Sequence, residues 1–318
     1  MNRSRARATT GADMALIEAE GLEKRYPGTD FAAVAGIGFR VERGEAFGFL
    51  GPNGAGKSST MRMLACVSQP SGGSLRILGE DPVVHGRALR ARLGVVPQDD
   101  ALDLQLTVRE NLIVYGLYFG LSLKRMRAKS AELLEFAQLA DKAGERVEHL
   151  SGGMRRRLTI ARSLVNDPEI LLLDEPTTGL DPQARHILWD RLFRLKSAGV
   201  TLILTTHYMD EAEQLCDRLV IMDKGLIADE GTPRELIDRH VTREVLELRF
   251  PPGEQEQAAE KLGGDVEVLP DRLLCYADDG DEVLTRVTEV GLRPLTALVR
   301  RATLEDVFLR LTGRSLTD

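Results

Sequence analysis

Short apolar runs that end in polar residues alternate along this chain with stretches whose apolar positions recur every three or four residues. Residues 15–24 and 37–50 read as strands, with Gly44-Glu45 turning the chain before the buried segment Ala46 to Leu50. A helix is expected over 57–66, packed through Met61, Met63, Leu64 and Val67. Residues 107–141 read as largely helical. Thr107 is placed to cap that stretch, Glu110 completes a capping box, and Ala131, Leu134, Phe136 and Leu139 supply an apolar face. Ile170 to Leu173 and Thr201 to Thr205 have the continuous apolar character of buried parallel strands. Helical patterns carrying Leu188, Leu192 and Leu195, and then Ala212 and Leu215, alternate with them. Such alternation predicts an α/β core with a mostly parallel sheet.

The pattern changes after Thr232-Pro233 and a short helix over 234–239. Val245 to Phe250 alternates as a strand, and 255–262 reads as a helix. Val266 to Leu269 and Leu273 to Ala277 are strands joined by Pro270-Asp271, a hairpin signal. A helix over 281–290, a strand over 295–299 and a last helix over 304–311, capped by Thr303, complete the chain. The order βαββαβ predicts a ferredoxin-like α+β unit. Charge shifts at the same place. The chain carries a net −7, whereas residues 241–318 hold 10 basic and 16 acidic side chains. The expected organisation is therefore a disordered tail over 1–14, an α/β domain over 15–240 and a small domain over 241–318.

The acidic balance argues against a nucleic-acid partner, which usually meets a basic face. No apolar run approaches the ~18 residues of a membrane span. Arg3, Arg5 and Arg7 are followed by polar residues, not by the apolar core of a secretory signal. Cys66, Cys216 and Cys275 lack metal-type spacing, so reduced thiols in a cytosolic compartment are expected.

Candidate chemistry lies at the ends of the apolar runs. Gly51-Pro52-Asn53-Gly54-Ala55-Gly56-Lys57-Ser58-Ser59 fits the phosphate-binding pattern G-x-x-x-x-G-K-[ST]. Its glycines let backbone N–H groups converge on phosphates, and the following helix adds its positive end. Lys57 is placed to reach the outer phosphates of ATP, and Ser58 to ligate Mg²⁺. Asp174 ends its apolar run at the carboxyl edge of the sheet, the expected acidic partner of Mg²⁺. Glu175 adjoins it and can orient a water and take its proton. Leu150-Ser151-Gly152-Gly153-Met154 opens a helix from about Arg155, again an anion site. Arg155, Arg156 and Arg157 read as solvated helix charge at a dimer edge.

Taken in this order and spacing, the segments resemble the ATP-binding cassette (ABC) ATPases. The resemblance covers residues 15 to about 235. It implies a P-loop ABC domain with a parallel core, an antiparallel edge sheet and a helical subdomain over about 100–165. It also assigns further residues. Gln98, in Val95-Val96-Pro97-Gln98, matches the Q-loop glutamine that contacts Mg²⁺ or the water. His207 matches the switch histidine at the terminal phosphate. Tyr26, 25 residues before Gly51, matches the aromatic that stacks on adenine. Ser151, Gly152 and Gly153 are implied to face ATP held by a second subunit, with Asp181 along the dimer seam. Met154 departs from the glutamine most common at its place.

Two narrower likenesses follow. Val95 to Gln98 with Leu106 to Asn111 is similar to daunorubicin-resistance-type exporter ATPases. LSGGMRRR over 150–157, Ala184-Arg185-His186, Thr205 to Met209 with Leu215 to Arg218, and the tail Leu304 to Gly313 resemble the nodulation ATP-binding export proteins of type I. These imply a homodimer joined through ATP, a separate integral membrane permease, and a place on the cytoplasmic face of the inner membrane. The implied cargo is a lipo-chitin oligosaccharide nodulation signal or a similar molecule, with a drug or a polysaccharide as alternatives. The helical stretch 107–141, next to Gln98, is the expected docking surface. A non-transport ABC protein is the remaining alternative, for which the coiled-coil insertion or second cassette is not visible.

Overall fold

The computed structural model describes residues 15–312, so the expected tail over 1–14, and Gly313, lie outside the described residues. The chain divides into two compact units, the first ending at Ala228 and the second beginning at Asp229. This division falls earlier than the boundary expected near residue 240.

The first unit runs β1 (Ile17–Arg25), β2 (Ala32–Val41), β3 (Ala46–Leu50), α1 (Lys57–Leu64), β4 (Gly72–Ile77), α2 (Pro82–Arg90) and β5 (Leu93–Val96). It continues with α3 (Val108–Tyr118), α4 (Leu123–Ala137), α5 (Gly152–Ser163), β6 (Ile170–Asp174), α6 (Pro182–Ser197), β7 (Thr201–Thr206), α7 (Met209–Leu215) and β8 (Arg218–Asp223). β9 (Leu226–Gly231) carries the chain into the second unit. β2, β1 and β4 form an antiparallel sheet in the order β2-β1-β4. A second sheet has the order β5-β6-β7-β3-β8-β9, and its first five strands pair in parallel.

The two sheets are joined by an aromatic core. Period-2 alternation sends Phe47 and Phe49 of β3 to one face, where they meet Phe39 of β2. The ring centroids lie 5.0 to 5.9 Å apart. Met61, Met63 and Leu64 of α1 and Ile77 of β4 close the same core. Val67, expected to pack with them, is 67% exposed, because the chain leaves the helix after Leu64.

β2 starts at Ala32, five residues ahead of the expected strand; its small residues Ala32, Ala33, Ala35 and Gly36 hide the alternation. The helical block is broken between Phe119 and Ser122. The capping box on Thr107 forms as expected. Ala131, however, is exposed, and α4 buries Met126, Leu133, Leu134 and Ala137 instead. α3, α4 and α5 pack on one another as a helical layer.

The second unit holds α8 (Pro233–His240), β10 (Glu244–Arg249), α9 (Gln255–Leu262), β11 (Val266–Val268), β12 (Leu273–Ala277), α10 (Gly280–Glu289), β13 (Thr296–Arg301) and α11 (Leu304–Thr312). Its antiparallel sheet has the order β11-β12-β10-β13, the ferredoxin-like arrangement of the expected βαββαβ unit. Alternation splits β10 between two layers. Leu246 and Leu248 pack with α9 and α10, while Val245 packs with Leu309 of α11 and Ile237 of α8. α8 therefore belongs with this unit, not with the first. Thr303 precedes α11, and Asp306 accepts from both its amide and its hydroxyl.

Phe49→Ala is expected to cost the first unit about 3–5 kcal/mol. The urea transition seen by Trp189, the chain's one tryptophan, should move to lower concentration. An unmoved midpoint would refute the placement of that ring at the centre of the core.

Candidate functional site

Parallel register brings four strand ends to one edge. Leu50 pairs with Thr206, Asp174 with Thr205, and Val96 with Leu173. The segments that follow these strands therefore emerge side by side, where open α/β sheets bind ligands. They are the glycine-rich loop after β3, Pro97-Gln98 after β5, Glu175 after β6 and His207 after β7.

The loop over 51–56 fits against the sheet too closely for side chains at two places. A Cβ on Gly51 would lie 2.3 Å from the Met222 carbonyl oxygen, and one on Gly56 would lie 2.4 Å from that of Ala33. Gly56 also sits at φ 103°, in the left-handed region. Pro52, Asn53, Gly54 and Ala55 form the outer curve between them. The first intrahelical bond of α1 runs from Thr60 N to Gly56 O, 2.9 Å, so the amides of Lys57, Ser58 and Ser59 precede it and present the helix's positive end. Lys57 is 4% exposed; its ammonium donates to Gly51 O at 2.6 Å and Pro52 O at 3.0 Å. Burial lowers its pKa, opposed by Glu175 and Asp174. The half-buried Tyr26 donates its hydroxyl to Ser59 Oγ, 3.3 Å.

The carboxylates meet this loop. Ser58 Oγ donates to Asp174 Oδ1 at 3.4 Å, and Thr205 Oγ1 donates to the same oxygen at 2.5 Å. Glu175 is 7% exposed and ringed by polar groups: Gln98 Nε2 at 3.2 Å, Thr178 Oγ1 at 3.2 Å, His207 Nδ1 at 3.3 Å and Lys57 Nζ at 3.8 Å. The His207 imidazole holds the Glu175 carboxyl below its usual range, against burial, and Lys57 and Thr178 add to the lowering. The backbone of Glu175 lies at φ 45°, a conformation costing a non-glycine residue about 1–2 kcal/mol. Its amide is tied to Thr205 O at 3.1 Å and Thr205 Oγ1 at 3.0 Å.

Ser151, Gly152, Gly153 and Asp181 go elsewhere. They line a separate depression of about 400 Å³ with Met154, Gly179 and Leu180. Ser151 caps α5 by accepting from Met154 N at 3.3 Å, and the helix begins at Gly152, a turn earlier than expected. Asp181 caps α6 by accepting from Ala184 N at 2.8 Å.

The comparisons with known proteins match this layout. The family model "ABC transporter" matches residues 34–178, and that of the "Nodulation factor export protein NodI, C-terminal domain" matches 253–313. The Nod factor export ATP-binding protein I of Burkholderia thailandensis is 48% identical over 306 residues, covering 96% of this chain and 99% of its own. The protein of that name from Rhizobium etli is 47% identical over 305 residues, 95% of each chain. The chain belongs to the ABC transporter family of ATP-binding proteins.

Solved structures of ABC ATPases agree. A dimeric ATP-binding cassette in a post-hydrolysis state, bound to ADP and Pi, superposes with TM-score 0.63 at 26% identity, over 68% of this chain and 98% of that one. The cbiO1 cassette of Clostridium perfringens gives TM-score 0.65 at 27% identity, over 71% and 91%. As an ABC ATPase the chain binds ATP and couples its hydrolysis to transport.

In this ABC ATPase, Lys57, Ser58, Gln98, Asp174, Glu175 and His207 converge, with Tyr26 at the rim of the glycine-rich loop. Ser151, Gly152, Gly153 and Asp181 do not join them within one chain. Among the described residues no cluster of three or more Asp, Glu, His or Cys side chains is placed to hold a metal. One carboxylate beside one hydroxyl suits a hard cation that keeps water and phosphate oxygens as its remaining ligands.

Two functional features escape the sequence. Thr205 and Thr178 position the two acidic residues, but their roles depend on register and loop shape. Arg156 is not solvated; it is 4% exposed, and its guanidinium donates to the carbonyls of Pro97, Gln98, Asp174, Glu175 and Pro176. Arg157 likewise turns inward to the Ala137 carbonyl, 2.9 Å. An Arg triplet after a helix start carries no signal separating these from Arg155, which is half-buried.

Behind His207, Glu211 of α7 is fully buried, and its oxygens close no hydrogen bond of good geometry. Burial raises its pKa from the ordinary 4.5 to about 6, against smaller lowering by Thr206, Thr177 and Trp189. A raised folded-state value means stability present below pH 4.5 and lost as pH rises through about 6. A shift of that size corresponds to about 2 kcal/mol. Glu211→Gln should therefore gain about that much over the parent chain at pH 8, with the gain shrinking toward zero at pH 4. Urea unfolding at both pH values measures it; a gain independent of pH would contradict the buried-acid assignment.

Proposed function

We propose that two copies of this chain form the ATP-driven engine of an exporter, each copy completing the other's reaction centre. What carries the reading is the separation of the site into two places on one chain. The glycine-rich loop and its carboxylates occupy the sheet edge, while the Ser151-Gly152-Gly153 helix start, an anion site by its free amides, lines a different depression. A head-to-tail pair brings one copy's loop against the other's helix start, with ATP between them.

In that arrangement the amides of the 51–59 segment and Lys57 hold the phosphates, and Tyr26 offers its face to adenine. Ser58, Asp174 and Gln98 would hold Mg²⁺, which neutralises phosphate charge. Glu175 takes the proton of the attacking water; its lowered pKa keeps it ionised and ready to accept. His207 lies against Glu175 and reaches toward the terminal phosphate.

The partner is an integral membrane permease. Among the described residues no helix is long and apolar enough to cross a membrane. α3 and the start of α4 expose Leu117, Tyr118 and Leu123. α3 also contributes Tyr115 to a cavity of about 540 Å³ shared with Gln98 and Asp174. Motion of a partner seated there would reach the site through Gln98. The chain then sits peripherally on the cytoplasmic face of the inner membrane. The names of its relatives point to a Nod factor, a lipo-chitin oligosaccharide nodulation signal or a similar molecule, as cargo.

Glu175→Gln is expected to keep ATP binding while turnover falls about 100-fold or more. Near-normal steady-state hydrolysis would remove Glu175 from the mechanism. With ATP, the same variant should elute as a dimer in size-exclusion chromatography, and adding Gly153→Asp should return it to a monomer that still binds ATP. A dimer indifferent to Gly153 would sink the shared-site reading. For the cargo and partner, mild detergent extraction is expected to recover the chain with a permease whose vesicles take up lipo-chitin oligosaccharide on ATP addition. Uptake of a drug or a polysaccharide alone would reassign the cargo.

A further inference from the structure

We propose that Arg156 is a positioning residue for hydrolysis: its guanidinium holds the backbone after β5 and after β6 in one frame and thereby aims the Gln98 amide and the Glu175 carboxylate. The inference rests on the role given to Glu175 above.

The geometry is specific to a planar fork. Nε donates to Pro176 O at 2.8 Å. Nη1 donates to Pro97 O at 2.5 Å and Gln98 O at 3.2 Å, and Nη2 to Asp174 O at 3.0 Å and Glu175 O at 3.1 Å. One side chain thus joins the segments that follow Val96 and Asp174. The Gln98 and Glu175 side chains touch at 3.2 Å directly above this clamp.

The arrangement is costly, which argues for a purpose beyond packing. A buried guanidinium needs every N–H satisfied, and the carboxylate it approaches in an ion pair, Asp100, is 3.7 Å away, with Glu211 and Asp174 adding longer-range attraction. Its hydrogen bonds go to carbonyl dipoles instead. Two of those carbonyls flank the strained φ 45° backbone of Glu175. Strain of that kind persists only where surroundings over-determine it, and Arg156 with Thr205 supplies that constraint.

Arg156 also sits one turn past Gly152 and Gly153 on α5. The loop it grips, starting at Asp174, ends at Asp181, in the depression those glycines line. A displacement of the α5 start by ATP on a second copy therefore has a rigid path to Glu175. Lysine cannot replace this link, because a single ammonium has no planar fork spanning both loops.

The test uses the full chain with Arg156→Lys and Glu175→Gln, alone and combined. Turnover is expressed per bound fluorescent ATP analogue, so loss of folded protein lowers stoichiometry and not the rate. Arg156→Lys should lower turnover per site about 10- to 100-fold, with affinity for the analogue within twofold. In the Glu175→Gln background it should lower the residual rate by much less than it lowers that of the parent chain. Per-site turnover near that of the parent chain, an equal fall in affinity and rate, or as large a fall in the Glu175→Gln background as in the parent would each overturn the inference. If Arg156→Lys does not fold, Asp100→Asn loosens the guanidinium and keeps its carbonyl bonds. A several-fold fall in turnover at unchanged affinity is then expected, and parental turnover would overturn it. Normal hydrolysis by Glu175→Gln alone would instead remove the role of Glu175, whatever Arg156→Lys does.

Discussion

The parallel register of β5, β6, β7 and β3 is the constraint on which the site depends. Four strands that run the same way, with Val96, Leu173, Thr205 and Leu50 in adjoining rows, must release their chains at one edge. Each strand contributes one chemical element there: a phosphate cradle, an amide, a carboxylate pair and an imidazole. None of these groups is close to another in sequence. A slip of one residue in any strand would turn its terminal side chain to the opposite face. The Phe39, Phe47 and Phe49 core resists that slip, since Phe47 and Phe49 would exchange places with Gly48.

Electrostatics then decides what the edge can do. Glu175 is buried among a cation, an imidazole, an amide and a hydroxyl, which keeps a nearly inaccessible carboxyl ionised. Four residues after His207 the opposite holds: Glu211 is fully buried, and burial raises its pKa. Two buried acids are driven apart, one by the groups bonded to it and the other by its deeper burial. Lys57 links the glycine-rich loop to Glu175, so the loop that recognises phosphate and the group that acts on water share one charge network.

Much of this was legible beforehand because it is local. The glycine-rich loop is set by consecutive residues whose backbone must curl. The capping box at Thr107 depends on residues three apart, and the βαββαβ order of the second unit on short alternating runs. What was misread is non-local. Val67 and Ala131 fit a helical period yet face outward, because the helix ends or rotates before they can pack. The small residues of β2 hide its first half, and the pattern places α8 with the first unit because its packing partner, α11, lies far along the chain.

The sequence alone determined which backbone can cradle phosphate, which residues end the buried strands and which family the chain joins, since each follows from residue type at fixed spacing. Only the tertiary structure decided that Arg156 is buried while its neighbour Arg155 is not among the clamped groups. It alone separated Ser151 to Gly153 from the glycine-rich loop of the same chain. The reason is physical: a side chain's desolvation and its hydrogen-bond partners belong to the elements packed around it. Those elements lie far along the chain, 59 residues for Arg156 and Pro97 and 116 for Ser58 and Asp174.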